Sequence, residues 1–286
     1  MPISVKDLEY TYSPGTPFET QALRGVTLTI EDGEFVGIIG HTGSGKSTFV
    51  QHLNALIKPT GGQVLVDGED INESKQKALL RRKVGLVFQY PEHQLFEETV
   101  IKDVSFGPRN MGLSEEEILS CAREALKTVG LSEETWQKSP FELSGGQKRR
   151  CAVAGVLAMR PKVLILDEPA AGLDPKGRQE ILDIVKNIHA GGTTVIMVSH
   201  SMDDVARLCR RVIVLEKGQV AMDGTCAEVF SQVEKLEKMG LRIPQAAQLR
   251  DRLNKRGFGL DDSAYTIEAL AEQIISKLQQ KFSQKP

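Results

Sequence analysis

Short apolar runs alternate along the chain with segments of helical periodicity. Four of these runs are rich in branched residues and almost free of polar positions, and they cover residues 35–39, 84–88, 163–166 and 195–198. Continuous apolar runs of this length are typical of strands that are buried on both faces of a parallel sheet. The pattern therefore predicts an α/β fold with a largely parallel core sheet flanked by helices.

Two hairpins are predicted beside these runs. Apolar and polar residues alternate over 26–30, and Asp32-Gly33 separates them from the run at 35–39, which predicts a hairpin leading into a buried strand. A second hairpin is predicted over residues 212–220, where apolar residues flank Lys217-Gly218.

The periodicity between residues 91 and 161 is helical. Ser114 followed by three glutamates is typical of a helix N-cap with an acidic first turn, and Gly130 is placed to end that helix. We interpret this segment as a helical subdomain inserted into a domain that spans residues 1–230. Residues 231–286 form a predicted C-terminal helical extension.

The predicted extension contains two amphipathic helices. Pro244 is suited to the first position of a helix that Gly257 ends. The next helix carries an apolar face made of Ile267, Leu270, Ala271, Ile274 and Leu278. Such a face must be covered. Packing on its own domain is the expectation, and a contact between two subunits is the alternative.

The composition narrows the classes of function. The 286 residues include 36 Lys and Arg against 38 Asp and Glu, so no basic surface for nucleic acid is expected. No apolar run is long enough to span a bilayer and the first residues lack a secretory pattern, so we expect the protein in the cytosol. The 4 cysteines are scattered without a Cys-x-x-Cys pair, which indicates neither a disulfide framework nor a zinc site.

A glycine-rich motif follows the first buried run. It matches the P-loop pattern G-x-x-x-x-G-K-[ST]. The matching residues are Gly40, His41, Thr42, Gly43, Ser44, Gly45, Lys46 and Ser47. Thr48 then continues into a predicted helix. In such a loop the backbone N–H groups surround phosphates and the helix N-terminus adds positive potential. Lys46 is placed to reach the β- and γ-phosphates, and Ser47 to bind Mg²⁺ through its hydroxyl. His41 occupies a variable position of the loop.

Polar residues follow the other three buried runs. Asp167 ends one run and is expected to hold Mg²⁺, and Glu168 comes next, placed to accept a proton from the water that attacks the γ-phosphate. Gln89 can coordinate the metal or this water, and His200 can donate a hydrogen bond to the γ-phosphate. Because ligands of open α/β sheets bind at the carboxyl ends of the strands, we expect these side chains to lie together.

A second glycine motif distinguishes this sequence from P-loop proteins in general. It reads Leu143-Ser144-Gly145-Gly146-Gln147 and lies upstream of Asp167. Together with the P-loop, Gln89, Asp167-Glu168, Asp174 and His200, it makes nearly all of residues 3–230 resemble the ATP-binding-cassette (ABC) ATPases. The resemblance implies ATP hydrolysis by a P-loop NTPase cassette, with an antiparallel β subdomain and a helical subdomain beside the mostly parallel core sheet.

The resemblance also implies a dimeric site, because ABC ATPases enclose two ATP molecules between two cassettes arranged head to tail. The segment from Ser144 to Gln147 would cap the γ-phosphate bound by the partner, and the loop of Asp174 would lie at the same seam. A Ser-Gly-Gly sequence before a predicted helix offers the free N–H groups that this role requires.

The family stacks adenine on an aromatic residue upstream of the P-loop; Tyr12 is the expected residue and Phe18 the competing one.

A narrower resemblance begins at the segment of Gln89. Residues 89–100 and 103–108 resemble the ATPase subunits of energy-coupling factor (ECF) importers, which bring vitamins, cobalt or nickel into prokaryotic cells. Residues 20–23 and 241–244 are similar to the same subfamily and favour the second of its two paralogous ATPases. The resemblance implies a pair of ATPases, formed with the paralogue or with a second copy, that docks on a transmembrane coupling protein. A separate membrane subunit binds the substrate, and the ATPases are peripheral at the cytoplasmic face.

Three glutamates of this segment, Glu92, Glu97 and Glu98, are expected to match arginines of the coupling protein.

Three alternatives remain for the function. The chain can serve another ABC importer or an exporter, which the ECF-like segment disfavours. A soluble ABC ATPase acting on ribosomes or chromosomes usually has tandem cassettes or long coiled coils, for which 286 residues leave no room. A regulatory module without hydrolysis would lack catalytic residues that are present here.

Overall fold

The computed structural model describes residues 1–71, 73 and 77–283. In these residues the strands are β1 (Ile3–Tyr12), β2 (Thr20–Ile30), β3 (Phe35–Ile39), β4 (Gly61–Val66), β5 (Glu69–Asp70), β6 (Val84–Val87), β7 (Val163–Asp167), β8 (Thr194–Val198), β9 (Arg211–Glu216) and β10 (Gln219–Thr225). The helices are α1 (Lys46–Leu53), α2 (Lys77–Lys83), α3 (Val100–Asn110), α4 (Glu115–Thr128), α5 (Gly145–Leu157), α6 (Pro175–Ala190), α7 (Met202–Leu208), α8 (Cys226–Ser231), α9 (Val233–Lys238), α10 (Gln245–Asn254) and α11 (Ile267–Ser283).

The central layer is a six-stranded sheet in the order β10-β9-β3-β8-β7-β6. The pairs β9–β3, β3–β8, β8–β7 and β7–β6 are all parallel, and β10 is the antiparallel edge strand. The four predicted apolar runs are β3, β6, β7 and β8, and every residue of these strands is buried. The α/β fold with a mostly parallel core sheet is therefore confirmed.

The two predicted hairpins have different outcomes. The hairpin over residues 212–220 is confirmed, because β9 and β10 pair antiparallel around Lys217 and Gly218, whose φ angles of +50° and +81° suit a tight hairpin turn. The hairpin predicted from Asp32-Gly33 is wrong. Strand β2 pairs with β1 in a separate antiparallel sheet of order β2-β1-β4-β5, whereas β3 lies in the middle of the parallel sheet. The alternating pattern of β2 suits a sheet with one wet face, and the continuous apolar pattern of β3 does not.

Apolar layers cover both faces of the six-stranded sheet. On one face α1 inserts Phe49 and Leu53 into a layer shared with the antiparallel sheet. On the other face the strands pack against the remaining helices of the main body, from α3 to α9. Gly37 allows α7 to approach β3 closely, because a Cβ at this position would lie 2.7 Å from Val205 Cγ1.

The helical segment follows local signals in the sequence. Ser114 and Glu117 form a capping box at the start of α4, since each side chain bonds the backbone N–H of the other residue. The helix ends before Gly130, whose φ is +68°. The predicted helix between Ser114 and Gly130 is therefore confirmed. Helices α3, α4 and α5 pack on one another and on the main core.

The C-terminal segment joins the main body through its first part. Leu241, Ile243 and Ala247 belong to the main core, and the Gln245 N–H donates to Asp203 Oδ1 across 2.9 Å. Pro244 is the N-cap of α10, one position earlier than predicted. The extension then forms a small core of its own.

The predicted apolar face of the last helix is only partly covered. Leu270 is buried and Ile274 packs against the small core of the extension. Ile267 and Leu278 are exposed, so packing on its own domain accounts for only part of this face, and a contact between two subunits stays a prediction for the rest. Among the described residues no helix is long and apolar enough to cross a membrane.

Candidate functional site

Residues from four strand ends meet at one cavity. The carboxyl ends of β3, β6, β7 and β8 lie at the same edge of the sheet, because these strands run parallel. The cavity has a volume of about 220 Å³ and is lined by Thr42, Gly43, Gly45, Lys46, Ser47, Thr48, Gln89, Asp167, Glu168 and His200. The structure thus brings together the side chains that the sequence placed after the buried runs.

The loop before α1 has the geometry of a phosphate cradle. Gly45 is the N-cap of α1 with a φ of +101°, and a Cβ there would lie 2.7 Å from the carbonyl oxygen of Ala22, so this position requires glycine. Lys46 Nζ donates to Gly40 O at 2.7 Å and to His41 O at 2.9 Å. Burial lowers the pKa of Lys46. An anion in the loop would therefore stabilise the charged ammonium.

Ser47 and Asp167 place side-chain oxygen atoms close together on one side of the cavity. Ser47 Oγ donates to Asp167 Oδ2 across 2.9 Å, and the Gln89 side chain borders the same cavity. Burial raises the pKa of Asp167, which means that its negative charge is not fully compensated by the Ser47 hydroxyl and Lys46. A hydroxyl, a carboxylate and an amide are the hard oxygen donors that Mg²⁺ prefers, so these residues fit that cation.

Glu168 has the properties of a general base. Its φ of +52° lies in the left-handed region, which costs energy for a residue with a side chain and is typical of functional turns. Burial, together with the nearby negative charge of Asp167, raises the pKa of Glu168 to about 7. His200 Nε2 lies 3.3 Å from Glu168 Oε1, and burial lowers the pKa of His200. A carboxylate of this kind can accept a proton from a bound water near neutral pH.

The two candidate adenine-stacking residues lie in different surroundings. The Tyr12 hydroxyl is 3.0 Å from Thr48 Oγ1, which places Tyr12 at the start of α1, and its ring is 40% exposed. Tyr12 also packs edge-on against Tyr10, with 4.8 Å between ring centroids. Phe18 is 83% exposed and lies between β1 and β2. Tyr12 therefore lies beside the P-loop, and its role in adenine stacking stays a prediction.

The second glycine motif does not line the P-loop cavity of its own chain. It lines another cavity, of about 520 Å³, whose walls include Ser144, Gly145, Gly146, Gln147 and Asp174. Ser144 caps α5 and forms a capping box with Gln147. Asp174 caps α6 by accepting a hydrogen bond from the N–H of Gly177. Each of these motifs therefore begins a helix whose N-terminus points toward this second cavity.

The three predicted acidic contacts differ in their environment. Glu98 is exposed and pairs with Lys102 at 2.6 Å, and Glu97 is half-buried. Glu92 instead binds the buried Arg149, with Arg149 Nε 2.7 Å from Glu92 Oε2. The sequence interpretation missed Arg149. One signal for it was present, since Arg149 lies one helical turn before the buried Val153 and so falls on the inner face of α5.

The fold and the cavity define a P-loop nucleotide-binding protein. The ABC transporter family model matches residues 23–171. The energy-coupling factor transporter ATP-binding protein EcfA2 of Clostridium perfringens is 55% identical over 278 residues, which cover 96% of this chain and 98% of that protein. The EcfA2 of Caldanaerobacter subterraneus is 54% identical over 280 residues, covering 97% and 98%. The chain therefore belongs to the ABC transporter family, among the energy-coupling factor transporter ATP-binding proteins.

Solved structures agree with this assignment. The structure of CbiO1 from Clostridium perfringens, described as part of the ABC transporter complex CbiONQ, superimposes with a TM-score of 0.73 at 43% identity and covers 87% of this chain. A dimeric ATP-binding cassette in a post-hydrolysis state with ADP and Pi gives a TM-score of 0.70 at 33% identity and covers 78%. Both matches span 98% of the other chain. The predictions of an ABC cassette fold, of an ATP-hydrolysing ABC subunit and of the ECF type are confirmed.

Proposed function

We propose that this chain is the ATP-hydrolysing subunit of an ECF-type importer for vitamins or transition-metal ions. Two ATP molecules would be enclosed between it and a second ATPase subunit. The observation that carries the proposal is the separation of the two glycine motifs. Lys46 and Ser144 line different cavities of one chain, so a phosphate held by the first motif can meet the second motif only on a partner subunit.

The proposed reaction divides the work among residues already placed in the cavity. Lys46 and the loop N–H groups bind the phosphates. Ser47, Asp167 and Gln89 would hold Mg²⁺, which would balance phosphate charge. Glu168 accepts the proton of the attacking water. His200 donates a hydrogen bond to the γ-phosphate. The partner's copy of the Ser144 motif closes the site, and the loop of Asp174 lies beside it.

A groove beside the acidic segment is the proposed docking site of the transmembrane coupling protein. It has a volume of about 570 Å³, and its apolar lining includes Leu86, Leu95, Phe96, Phe106 and Met159. The rings of Phe96 and Phe106 meet edge-on with 5.0 Å between centroids, and both are exposed. Such a surface fits an amphipathic helix of the partner.

Arg81, Arg82 and Asp103 are the charged residues that line the groove itself. The acids that favour a basic partner helix, Glu97 and Glu98, directly follow the lining residue Phe96 in the sequence. The ion pair of Glu98 with Lys102 is fully exposed and contributes little stability, so Glu98 can exchange it for an arginine of the partner. Glu97 adds a second carboxylate. Glu92 borders the same segment, but its carboxylate already binds Arg149. Docking on this partner would place the chain at the cytoplasmic face of the membrane, together with a substrate-binding membrane subunit.

Affinity purification from detergent-solubilised native membranes tests the proposal. The parent chain should recover a second ATPase subunit, either a copy or a paralogue, and a multi-spanning membrane protein. The double variant Glu97→Lys/Glu98→Lys should lose the membrane protein and keep the ATPase partner. Glu115→Lys/Glu116→Lys is the matched control, because these exposed acids lie in the first turn of α4 and do not line the groove. Recovery of the parent chain without any membrane protein would contradict the importer proposal.

The choice between a copy and a paralogue follows from a mixing experiment. Chains carrying Lys46→Ala and chains carrying Ser144→Ala each lose turnover alone. If the chain pairs with itself, a mixture contains dimers with one intact composite site and recovers part of the activity. If the partner is a paralogue, the mixture stays inactive until that subunit is added.

A further inference from the structure

Arg149 is a charged side chain at the centre of the cassette that the proposed reaction does not use. It is 1% exposed. Its Nη2 donates to Glu92 Oε1 at 2.8 Å and to Ala171 O at 3.0 Å, and its Nη1 donates to Pro169 O at 2.9 Å. A buried guanidinium must be matched by acceptors because its desolvation is costly. Here one carboxylate and two backbone carbonyls accept hydrogen bonds from Nη1 and Nη2. Nε has no hydrogen-bond partner among the described residues and lies 2.7 Å from Glu92 Oε2 as an ion pair.

The acceptors belong to two segments that border the P-loop cavity. Glu92 follows Gln89 by three positions, and Tyr90 between them has a φ of +56° and its ring 5.7 Å from the guanidinium carbon. Pro169 is the residue directly after Glu168, which has a φ of +52°. Both segments therefore contain a residue in the left-handed region, a conformation that persists only where its surroundings hold it.

Arg149 joins these two segments to α5, the helix that begins at the second glycine motif. The planar fork of a guanidinium can bind a carboxylate and two carbonyls at once, whereas an ammonium has neither the width nor the fixed directions to do so. Neither Arg149 nor Glu92 lines the P-loop cavity. Any effect of these residues on the reaction must therefore act through the residues that they hold.

We propose that Arg149 and Glu92 are positioning residues for ATP hydrolysis. The guanidinium fixes the backbone that follows Glu168 and the turn that follows Gln89 relative to the helix of the second glycine motif. Glu168 then presents its carboxylate to the attacking water in one orientation. The proposal rests on the ATP hydrolysis of the family and not on the membrane partner, so a negative result in the purification experiment leaves it standing.

Steady-state ATPase kinetics of the purified full chain with its ATPase partner test the proposal. In Arg149→Lys the charge remains but the fork is lost, so kcat should fall about 10-fold to 100-fold while KM for ATP stays within about 2-fold, as expected for a misplaced catalytic group. Glu92→Gln should lower kcat in the same direction by a smaller factor, because the two carbonyl contacts remain. Arg160→Lys is the matched control, since Arg160 pairs with Glu124 at the surface.

Two further measurements separate a positioning role from a purely structural one: the kcat of the double variant, and the folded fraction of each variant by circular dichroism. Because Arg149 and Glu92 act as one unit, Arg149→Lys/Glu92→Gln should be within about 2-fold of Arg149→Lys alone. A kcat that is unchanged in folded Arg149→Lys, or a loss that only follows the folded fraction in circular dichroism, would overturn the proposal. Independent multiplication of the two effects would also overturn it. If Arg149→Lys does not fold, Glu92→Gln decides by the same comparison of kcat with KM.

Discussion

Ser47 Oγ donates a hydrogen bond to Asp167 Oδ2 across 2.9 Å, and this bond joins the P-loop to the end of the strand β7. The hydroxyl is a neutral partner for a buried carboxylate, and burial raises the pKa of Asp167 above its ordinary value. A cation between these two oxygens would stabilise the ionised carboxylate. The bond therefore marks the place where Mg²⁺ is expected to enter with the nucleotide.

Asp167→Asn should weaken the binding of Mg²⁺-ATP and lower turnover about 100-fold or more, because the amide removes the negative charge that holds the cation. Titration calorimetry with ATP, in Mg²⁺ and in EDTA, measures this effect. The parent should bind ATP more tightly with Mg²⁺ than without, and the variant should lose most of that difference. Asp183→Asn, an exposed change on α6, is the control. Equal Mg²⁺ dependence in Asp167→Asn and the parent would exclude Asp167 as a ligand.

Glu168→Gln should reduce hydrolysis by about 100-fold to 1,000-fold while ATP binding persists, since the amide cannot accept a proton. The parent should also show a pH dependence of kcat/KM. The pKa of Glu168 is about 7, raised mainly by burial, so activity should fall as the pH drops through this value and the carboxylate becomes protonated. Phosphate release measured from pH 6 to 8.5 gives the profile. Undiminished turnover in Glu168→Gln would remove Glu168 from the role of base.

The sequence was sufficient to predict the residues of the cavity because their signals are local. Gln89, Asp167, Glu168 and His200 each lie within two positions of the end of an apolar run. Parallel strands bring their carboxyl ends to one edge without further information. The pairing of β2 with β1 could not be predicted from such local signals. Asp32-Gly33 indicates a turn, but whether β2 and β3 then pair depends on which layer each strand joins, and this is decided by contacts distant in sequence.

Side-chain pairing across the fold was also beyond the sequence. The sequence predicts Glu92, with Glu97 and Glu98, as a contact for arginines of the coupling protein, and only the packing of α5 against that segment brings Arg149 to it. The sequence correctly predicts that α11 is an amphipathic helix. It does not predict which residues of its apolar face are buried. The small core of the extension reaches Leu270 and Ile274 and leaves Ile267 exposed.

Tyr12→Ala should raise KM for ATP about 10-fold, because base stacking on an aromatic ring contributes about 1–3 kcal/mol. Tyr12→Phe should keep most of the affinity, since the ring remains and only the contact of the hydroxyl with Thr48 Oγ1 is lost. Phe18→Ala, a change at a more exposed ring, should leave KM unchanged. Steady-state ATPase kinetics, which give KM, check all three variants. The opposite result, with Phe18→Ala weakened and Tyr12→Ala normal, would assign the stacking role to Phe18.

His52 is a fully buried histidine in the last turn of α1. Its Nδ1 lies 2.7 Å from Thr48 O, so Nδ1 carries the proton and donates it to this carbonyl. The ring packs edge-on against Tyr10, with 4.9 Å between centroids. Nε2 has no hydrogen-bond partner among the described residues. Protonation of Nε2 would place an unpaired charge in the core, and burial accordingly lowers the pKa of His52 to about 4.

This low pKa makes the stability of the fold depend on pH. Between pH 6.5 and 4 the unfolded chain binds a proton at His52 and the folded chain does not, so protons favour unfolding. The stability is complete above pH 6.5, and the free energy of unfolding should fall by about 2 kcal/mol between pH 7 and pH 5 from this group alone. Urea unfolding of His52→Gln should lack this component, whereas the exposed control His93→Gln should retain it. The same pH dependence in the parent and in His52→Gln would show that His52 becomes protonated without unfolding the chain, and the neutral buried state would then be wrong.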